Sequence, residues 1–119
     1  MLDAMLDTLI AHHGLGKATD VLLSGGSAGG LATYLHADHV KGYLAARGAP
    51  LARFKAAPVS GFFLMHQTAA GAAKYPDEMK YVYRMQNSSG GGVNAACAAS
   101  FAASPTPEEG WRCIFANES

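Results

Sequence analysis

The chain has 119 residues, the size of one ordinary domain, so two independent cores are not expected. Nine Lys and Arg balance nine Asp and Glu, and zero formal charge argues against a non-specific binder of nucleic acid or anionic membranes. Half of the residues are hydrophobic and 15% are charged, which excludes a disordered chain. No apolar run approaches the roughly 20 residues of a membrane span.

The first predicted elements are a helix and a strand. Apolar residues recur at three- and four-residue spacing over 2–10, which predicts a helix that ends near Gly14 or Gly16. Residues 21–23 form a short apolar run between Asp20 and glycines. Such a run is typical of a strand buried on both faces of a parallel sheet.

A second helix and a second strand follow the glycine-rich run SGGSAGG. The helix is predicted over 31–47, with Gly48 and Pro50 ending it. The strand is predicted over 51–57 and is expected to end at Pro58. This order predicts the α/β fold class, with parallel strands joined through a helix.

The second half of the chain is predicted to contain mostly loops. Residues 71–76 are a predicted loop, and 79–85 suit one or two helical turns. From about residue 87 onward, turn-forming residues predominate, and SPTPEEG is a predicted loop.

The pentapeptide Gly25-Gly26-Ser27-Ala28-Gly29 has the pattern G-x-S-x-G between a predicted strand and a predicted helix. In that context the pattern indicates a nucleophile elbow, a sharp turn that projects a reactive serine, here Ser27. Gly25 and Gly29 are expected to leave room for the strand and helix. The backbone N–H of Ala28, at the helix start, is expected to donate to an oxyanion. The alternative is a glycine-rich loop that only turns the chain.

Phosphate-binding loops do not fit the same segment. A Walker A loop requires a lysine after the glycines, and none follows. A dinucleotide-binding G-x-G-x-x-G pattern fails because serine stands where a glycine is required.

A serine nucleophile needs a histidine base and an acid that orients it, and the chain offers poor candidates. Asp38 and His39 lie on the helix that begins at Ser27, roughly 16 Å along its axis, so neither can reach the serine. His66 follows Ser27 without an acid in the expected order, and a surface or half-buried histidine is the favoured interpretation. The triad is therefore expected to be incomplete.

Other polar residues carry weaker signals. His36 and His39 have the spacing of two metal ligands, but a solvated helix flank is favoured and no metal site is predicted. Cys97 and Cys113 fit one disulfide, two free thiols or part of a larger set. Asn87-Ser88-Ser89 and Asn117-Glu118-Ser119 are glycosylation patterns that matter only in a secreted protein.

Three blocks of the sequence resemble the pectin acetylesterase family, which includes plant pectin acetylesterases and the animal carboxylesterase Notum. The first is VLLSGGSAGGLATYLHADHV, the second is Ser60 to Leu64, and the third is Cys97 followed by Trp111 to Phe115. They occur in family order. The resemblance runs from about Met5 to Phe115.

The resemblance implies roles for several residues. Ser27 matches the nucleophile and the Ala28 N–H one oxyanion donor, while Phe63 and Phe115 match aromatic positions near the acyl pocket. It also implies a disulfide between the two cysteines, Cys97 and Cys113. No cofactor and no metal are implied, and the family is secreted.

The function implied by the resemblance is hydrolysis of acetyl esters on a cell-wall polysaccharide such as pectin. Removal of a lipid ester, as in a deacylase like Notum, is a variant of this reaction. The alternative to an enzyme is a non-catalytic remnant or binding module of the same fold. The expected partner is an acetylated polysaccharide or another acyl ester, with no nucleic acid and no membrane span.

The chain also departs from the family pattern. Val59 and Met65 replace aspartates on either side of the second block, and Ile114 replaces a phenylalanine in the third. The family's catalytic aspartate and histidine follow the third block. Residues 1–119 are therefore expected to form an incomplete α/β-hydrolase-like domain with a loop-rich tail, inactive alone.

Overall fold

A computed structural model describes residues 1–90 and 92–118 of the protein. Their helices and strands alternate along the first half of the chain. The elements are α1 (Leu2–His12), β1 (Asp20–Gly26), α2 (Ala28–Ala46), β2 (Arg53–Val59), α3 (Lys74–Met85) and α4 (Ala95–Ala102), with short 3-10 helices at Leu15–Lys17, Ser88–Gly90 and Pro107–Ile114.

The strands β1 and β2 pair in parallel, and α2 connects them. Their register runs from Asp20 opposite Arg53 to Gly26 opposite Val59. A parallel pair needs a long crossover connection, which the 19 residues of α2 provide. This unit confirms the predicted α/β order, and the predicted first helix is also confirmed as α1.

The expectation that β1 is buried on both faces is wrong. Val21 and Leu23 pack against the helices, whereas Leu22 between them is 68% exposed. The cause is the layer arrangement of the described residues, in which α1 and α2 pack in one cluster against the same face of the sheet. The strand therefore alternates in the manner of a one-sided sheet.

Pro58 does not end the second strand, contrary to the prediction, but lies inside β2 opposite Gly25. The carbonyl of its neighbour Val59 accepts a hydrogen bond from Ser27. Because backbone groups of successive strand residues point to opposite sides, the nitrogen of Pro58 lies on the side of β2 away from β1. A proline on a free edge removes no ladder hydrogen bond.

The second half of the chain is more helical than predicted. The helix α3 begins at Lys74, within the predicted loop, because Pro76 is tolerated in a first helical turn. The predicted loop-rich tail contains α4 and the 3-10 helix Pro107–Ile114. The side chain of Asn94 caps α4 by accepting from the N–H of Cys97.

Two clusters of buried residues form instead of one core, and α2 contributes to both. Val40 and Leu44 pack with α1 and the sheet. One end of the same helix, through Leu31 and Leu35, packs against the cluster formed by the second half of the chain. The radius of gyration is 15.9 Å, against about 13.5 Å for a compact domain of this length. The chain is elongated because the two clusters lie at different places along α2.

Cys97 of α4 and Cys113 are bonded through their Sγ atoms, with Cα atoms 5.8 Å apart. Both belong to the second cluster, together with Trp111, Ile114 and Phe115. The disulfide therefore ties α4 to the 3-10 helix Pro107–Ile114 within this second cluster.

Reduction of this disulfide is expected to lower the free energy of unfolding by about 3 kcal/mol, because the bond closes a loop of roughly 15 residues in the unfolded chain. Urea unfolding with and without a thiol-free reductant measures the change. The matched control is the double variant Cys97→Ala, Cys113→Ala, whose midpoint should not respond to reductant. Alkylation of both cysteines in the unreduced native chain would contradict the bond.

Candidate active site

Ser27 lies in a strained turn between the end of β1 and the start of α2. Its backbone has φ 54° and ψ −118°, a conformation that residues other than glycine rarely adopt, and the residue is exposed. Its N–H donates to the carbonyl of Val59 at 3.0 Å, and its carbonyl accepts from the N–H of Leu31 at 3.0 Å. The turn is therefore fixed to the neighbouring strand and to the helix.

Close backbone contacts make this turn possible. A Cβ on Gly25 would lie 2.3 Å from the carbonyl oxygen of Gly29. A Cβ on Gly30 would lie 2.4 Å from the carbonyl oxygen of Val59, and one on Gly61 would lie 2.4 Å from the carbonyl carbon of Gly30. Neither Gly30 nor Gly61 has space for a side chain.

The expectation that Gly29 supplies room is wrong, since a Cβ there would meet nothing within 4 Å. The required residue is Gly30, one position beyond the pentapeptide. The sequence does contain both glycines, Gly30 in SAGG and Gly61 in SGFF. No local pattern, however, predicts that these two residues are in contact in the fold.

The backbone N–H of Ala28 lies at the start of α2, next to Ser27 in the chain. Ala28 is the first residue of α2, so its N–H has no acceptor within the helix. The positive end of the helix dipole lies at the same point. A negatively charged oxygen formed beside Ser27 would meet both.

The histidines of α2 are not brought to Ser27. His36 and His39 follow it by nine and twelve residues, which places them about 14 and 18 Å away along the helix axis. His39 Nε2 lies 2.6 Å from a carboxylate oxygen of Asp3, and Asp38 accepts from the side chain of Asn94. Both groups serve contacts between elements.

His66 also makes its hydrogen bond elsewhere. Its Nδ1 contacts the carbonyl of the next residue, Gln67, and its side chain lines a cavity of about 350 Å³ with Trp111 and Arg112. Within residues 1–90 and 92–118, the hydroxyl of Ser27 has no hydrogen-bonded histidine. Among the described residues, the turn thus holds an exposed serine beside the N–H that begins α2.

A cavity of about 480 Å³ adjoins the turn at Ala28. Its lining joins apolar side chains of α2 to amides, a hydroxyl and glycines of the segment after α3. The lining residues are Ala28, Leu31, Ala32, Leu35, His36, Gln86, Asn87, Ser88, Gly90 and Gly92. None of these side chains carries a full charge if His36 is neutral.

His36 is half-buried, not a solvated flank as expected. Burial lowers the pKa of its imidazole below the ordinary value of 6.5, and the neighbouring His39 lowers this pKa further. Its Nδ1 is buried, with no hydrogen-bond partner in the described part of the chain. A neutral imidazole therefore lines the cavity at pH 7.

The two phenylalanines assigned to an acyl pocket have different environments. Phe115 is fully buried and packs edge-on against Tyr75 and Trp111, so its ring belongs to the second core instead of an open pocket. Phe63 is half-buried beside Tyr75, and its neighbour Phe62 is 67% exposed.

The described residues contain no group of three or more His, Cys, Asp or Glu side chains arranged to hold a metal ion. Among the helices formed by those same residues, none is both long and apolar enough to cross a membrane.

A parallel β-α-β unit with a strained, exposed serine at its strand–helix turn is an arrangement that α/β-hydrolase-like proteins share. The family model described as Pectinacetylesterase matches residues 1–119. The chain belongs to the pectinacetylesterase family, whose members are esterases. A search of curated proteins gives no match.

The contact between Gly30 and Gly61 generates a stability prediction. Gly30→Ala is expected to destabilise the chain by about 1–3 kcal/mol, because the new methyl group meets backbone atoms that cannot move aside. Gly29→Ala, one residue earlier in the same helical turn, is the matched control. It is expected to be neutral or to stabilise by up to about 1 kcal/mol, since alanine favours the helix. Equal urea midpoints for the two variants would contradict the contact.

The environment of Ser27 generates a second prediction, which needs no catalytic base. Cys97 and Cys113 are bonded, so Ser27→Cys introduces a single free thiol. The helix N-terminus should lower the pKa of that thiol below its usual 8.5, because it favours the thiolate. The midpoint of the iodoacetamide alkylation rate against pH measures it.

Ser60→Cys is the control for this measurement, because Ser60 is also exposed with positive φ but does not begin a helix. Coincident midpoints for the two thiols would contradict an electropositive helix start beside Ser27.

Proposed function

We propose that the protein is a carboxylic ester hydrolase that uses Ser27 as its nucleophile to remove acetyl groups from a cell-wall polysaccharide such as pectin. The observation that carries the proposal is the exposed Ser27 in a strained turn at the start of α2, within a chain that matches an esterase family. We propose secretion as well, since such a substrate lies outside the cell.

The reaction would form and break an ester of the serine. The Ser27 hydroxyl attacks the acyl carbon while a histidine base takes its proton, and the Ala28 N–H donates to the carbonyl oxygen as that oxygen becomes negative. The sugar hydroxyl leaves with a proton. Water then hydrolyses the acetyl-serine and restores the hydroxyl.

The described residues place no histidine base and no orienting acid beside Ser27. The hydroxyl of a serine at its ordinary pKa is a weak nucleophile without a neighbouring base. Of the histidines after Ser27, only His66 lies outside α2, so it is this chain's own candidate for that role.

The cavity beside Ala28 supports an uncharged substrate. Its volume lies within the range of small-molecule sites, and its lining of amides, a hydroxyl and apolar side chains suits a sugar that carries acetyl groups. Phe63, half-buried after β2, is our candidate for contact with the acyl group. A lipid ester would need a longer apolar cavity than Leu31 and Leu35 offer.

A non-catalytic binding function is the second candidate, because the Ser27 hydroxyl lacks a paired histidine among the described residues. The 67% exposed ring of Phe62, on the loop after β2, is its supporting observation. An exposed aromatic ring offers a flat apolar surface on which an acylated sugar can stack.

The test measures hydrolysis of 4-nitrophenyl acetate and of acetylated pectin. Both assays use the 119-residue chain and, separately, the natural protein as purified from its source organism. In the natural protein, Ser27→Ala is expected to lower turnover by about 10³-fold or more, whereas Ser60→Ala is expected to change it little. The 119-residue chain is expected to show no turnover that depends on Ser27.

Two results would change this assignment. Turnover by the 119-residue chain that disappears in Ser27→Ala would show that its own residues supply a base, with His66→Gln as the next variant. Absence of hydrolysis in the natural protein, together with binding of acetylated pectin that Phe62→Ala abolishes, would favour the binding function.

A further inference from the structure

The two Asn-x-Ser patterns of the chain differ in their structural surroundings. Asn87 begins the first pattern, and Asn117 begins the second. This pattern is the one that N-linked glycosylation requires, and it predicts a surface segment. Which asparagine offers a free amide depends on its contacts.

Asn87 lies on the surface directly after α3, in the irregular segment that leads to α4. It is exposed, with φ 49°, and a single three-residue 3-10 turn follows it. The hydroxyl of Ser89 donates to its side-chain oxygen at 3.4 Å. The hydroxyl that defines the pattern therefore lies beside the acceptor amide. In the described residues, the Asn87 Nδ2 donates no hydrogen bond.

Asn117 has a structural role in which both ends of its amide are engaged. Its Oδ1 accepts from the backbone N–H of Met65 at 2.9 Å, and its Nδ2 donates to Glu118 at 3.1 Å. Glu118 in turn pairs with Arg112. Ser119, the hydroxyl residue of this pattern, lies outside the described residues.

We propose that Asn87 is an N-glycosylation site. The co-reactant is a lipid-linked oligosaccharide diphosphate. A bond forms between Asn87 Nδ2 and the first sugar carbon, the bond from that carbon to the diphosphate oxygen breaks, and the amide loses one proton as the lipid diphosphate leaves. This inference rests on the secretory route in the proposed function.

The surroundings of Asn87 give the glycan a physical role. Tyr81 and Met85, on the helix that precedes Asn87, are apolar side chains that are 67% and 57% exposed. A glycan there would cover apolar side chains with a hydrated group. Asn87 also lines the cavity beside Ala28, which places the glycan at the edge of the proposed substrate site.

The experiment expresses the 119-residue chain behind an added secretory leader in a eukaryotic host and measures its mass before and after peptide N-glycosidase treatment. The secreted chain is expected to lose the mass of one glycan, with aspartate left at position 87. Asn87→Gln and Ser89→Ala are expected to abolish this loss. Ser88→Ala and Asn117→Gln are the matched controls and should retain it.

Secreted chain without a removable glycan would overturn the proposal, and so would a glycan that persists in Asn87→Gln or disappears in Asn117→Gln. The added leader makes this result independent of the natural location of the protein. It is also independent of esterase activity, so failure of the proposed function and failure of this inference are distinguishable.

Discussion

The arrangement of the site depends on the direct backbone contact between Gly30 and Gly61. Because neither residue has a Cβ, the first turn of α2 lies against the chain that leaves β2. That proximity lets the N–H of Ser27 reach the carbonyl of Val59, which holds a non-glycine residue at positive φ. Strained backbone persists only where its surroundings over-determine it, and here two strands and a helix do so.

Local features of the site could be predicted from the sequence, whereas long-range ones could not. The serine turn and the N–H of Ala28 follow from five consecutive residues and the elements beside them. The contact of Gly30 with Gly61 joins residues 31 positions apart, and no periodicity reports it. The predicted strand end at Pro58 is wrong because a proline interrupts strand pairing only on the side that faces a neighbouring strand. The sequence does not show which side of β2 is free. The short helix α4 was missed because its alanines follow a run of turn formers.

Family membership and structure contribute different parts of the functional argument. The match to pectinacetylesterases over the whole chain gives the chemical class. The structure adds the positions of Ser27 and of the Ala28 N–H, together with a cavity that Ala28 lines. It also shows why the histidines of α2 lie far from Ser27: a helix that starts at this residue carries them away at 1.5 Å per residue.

The unequal demands on the glycines have a consequence for recognising this turn in other sequences. A pattern search that insists on G-x-S-x-G rejects a chain with alanine at the position of Gly29, although space is open there. The same search accepts a chain with leucine at the position of Gly30, where even a methyl group cannot fit. A profile that instead weights the positions of Gly25, Gly30 and Gly61 would separate sequences that can form this serine turn from chance matches.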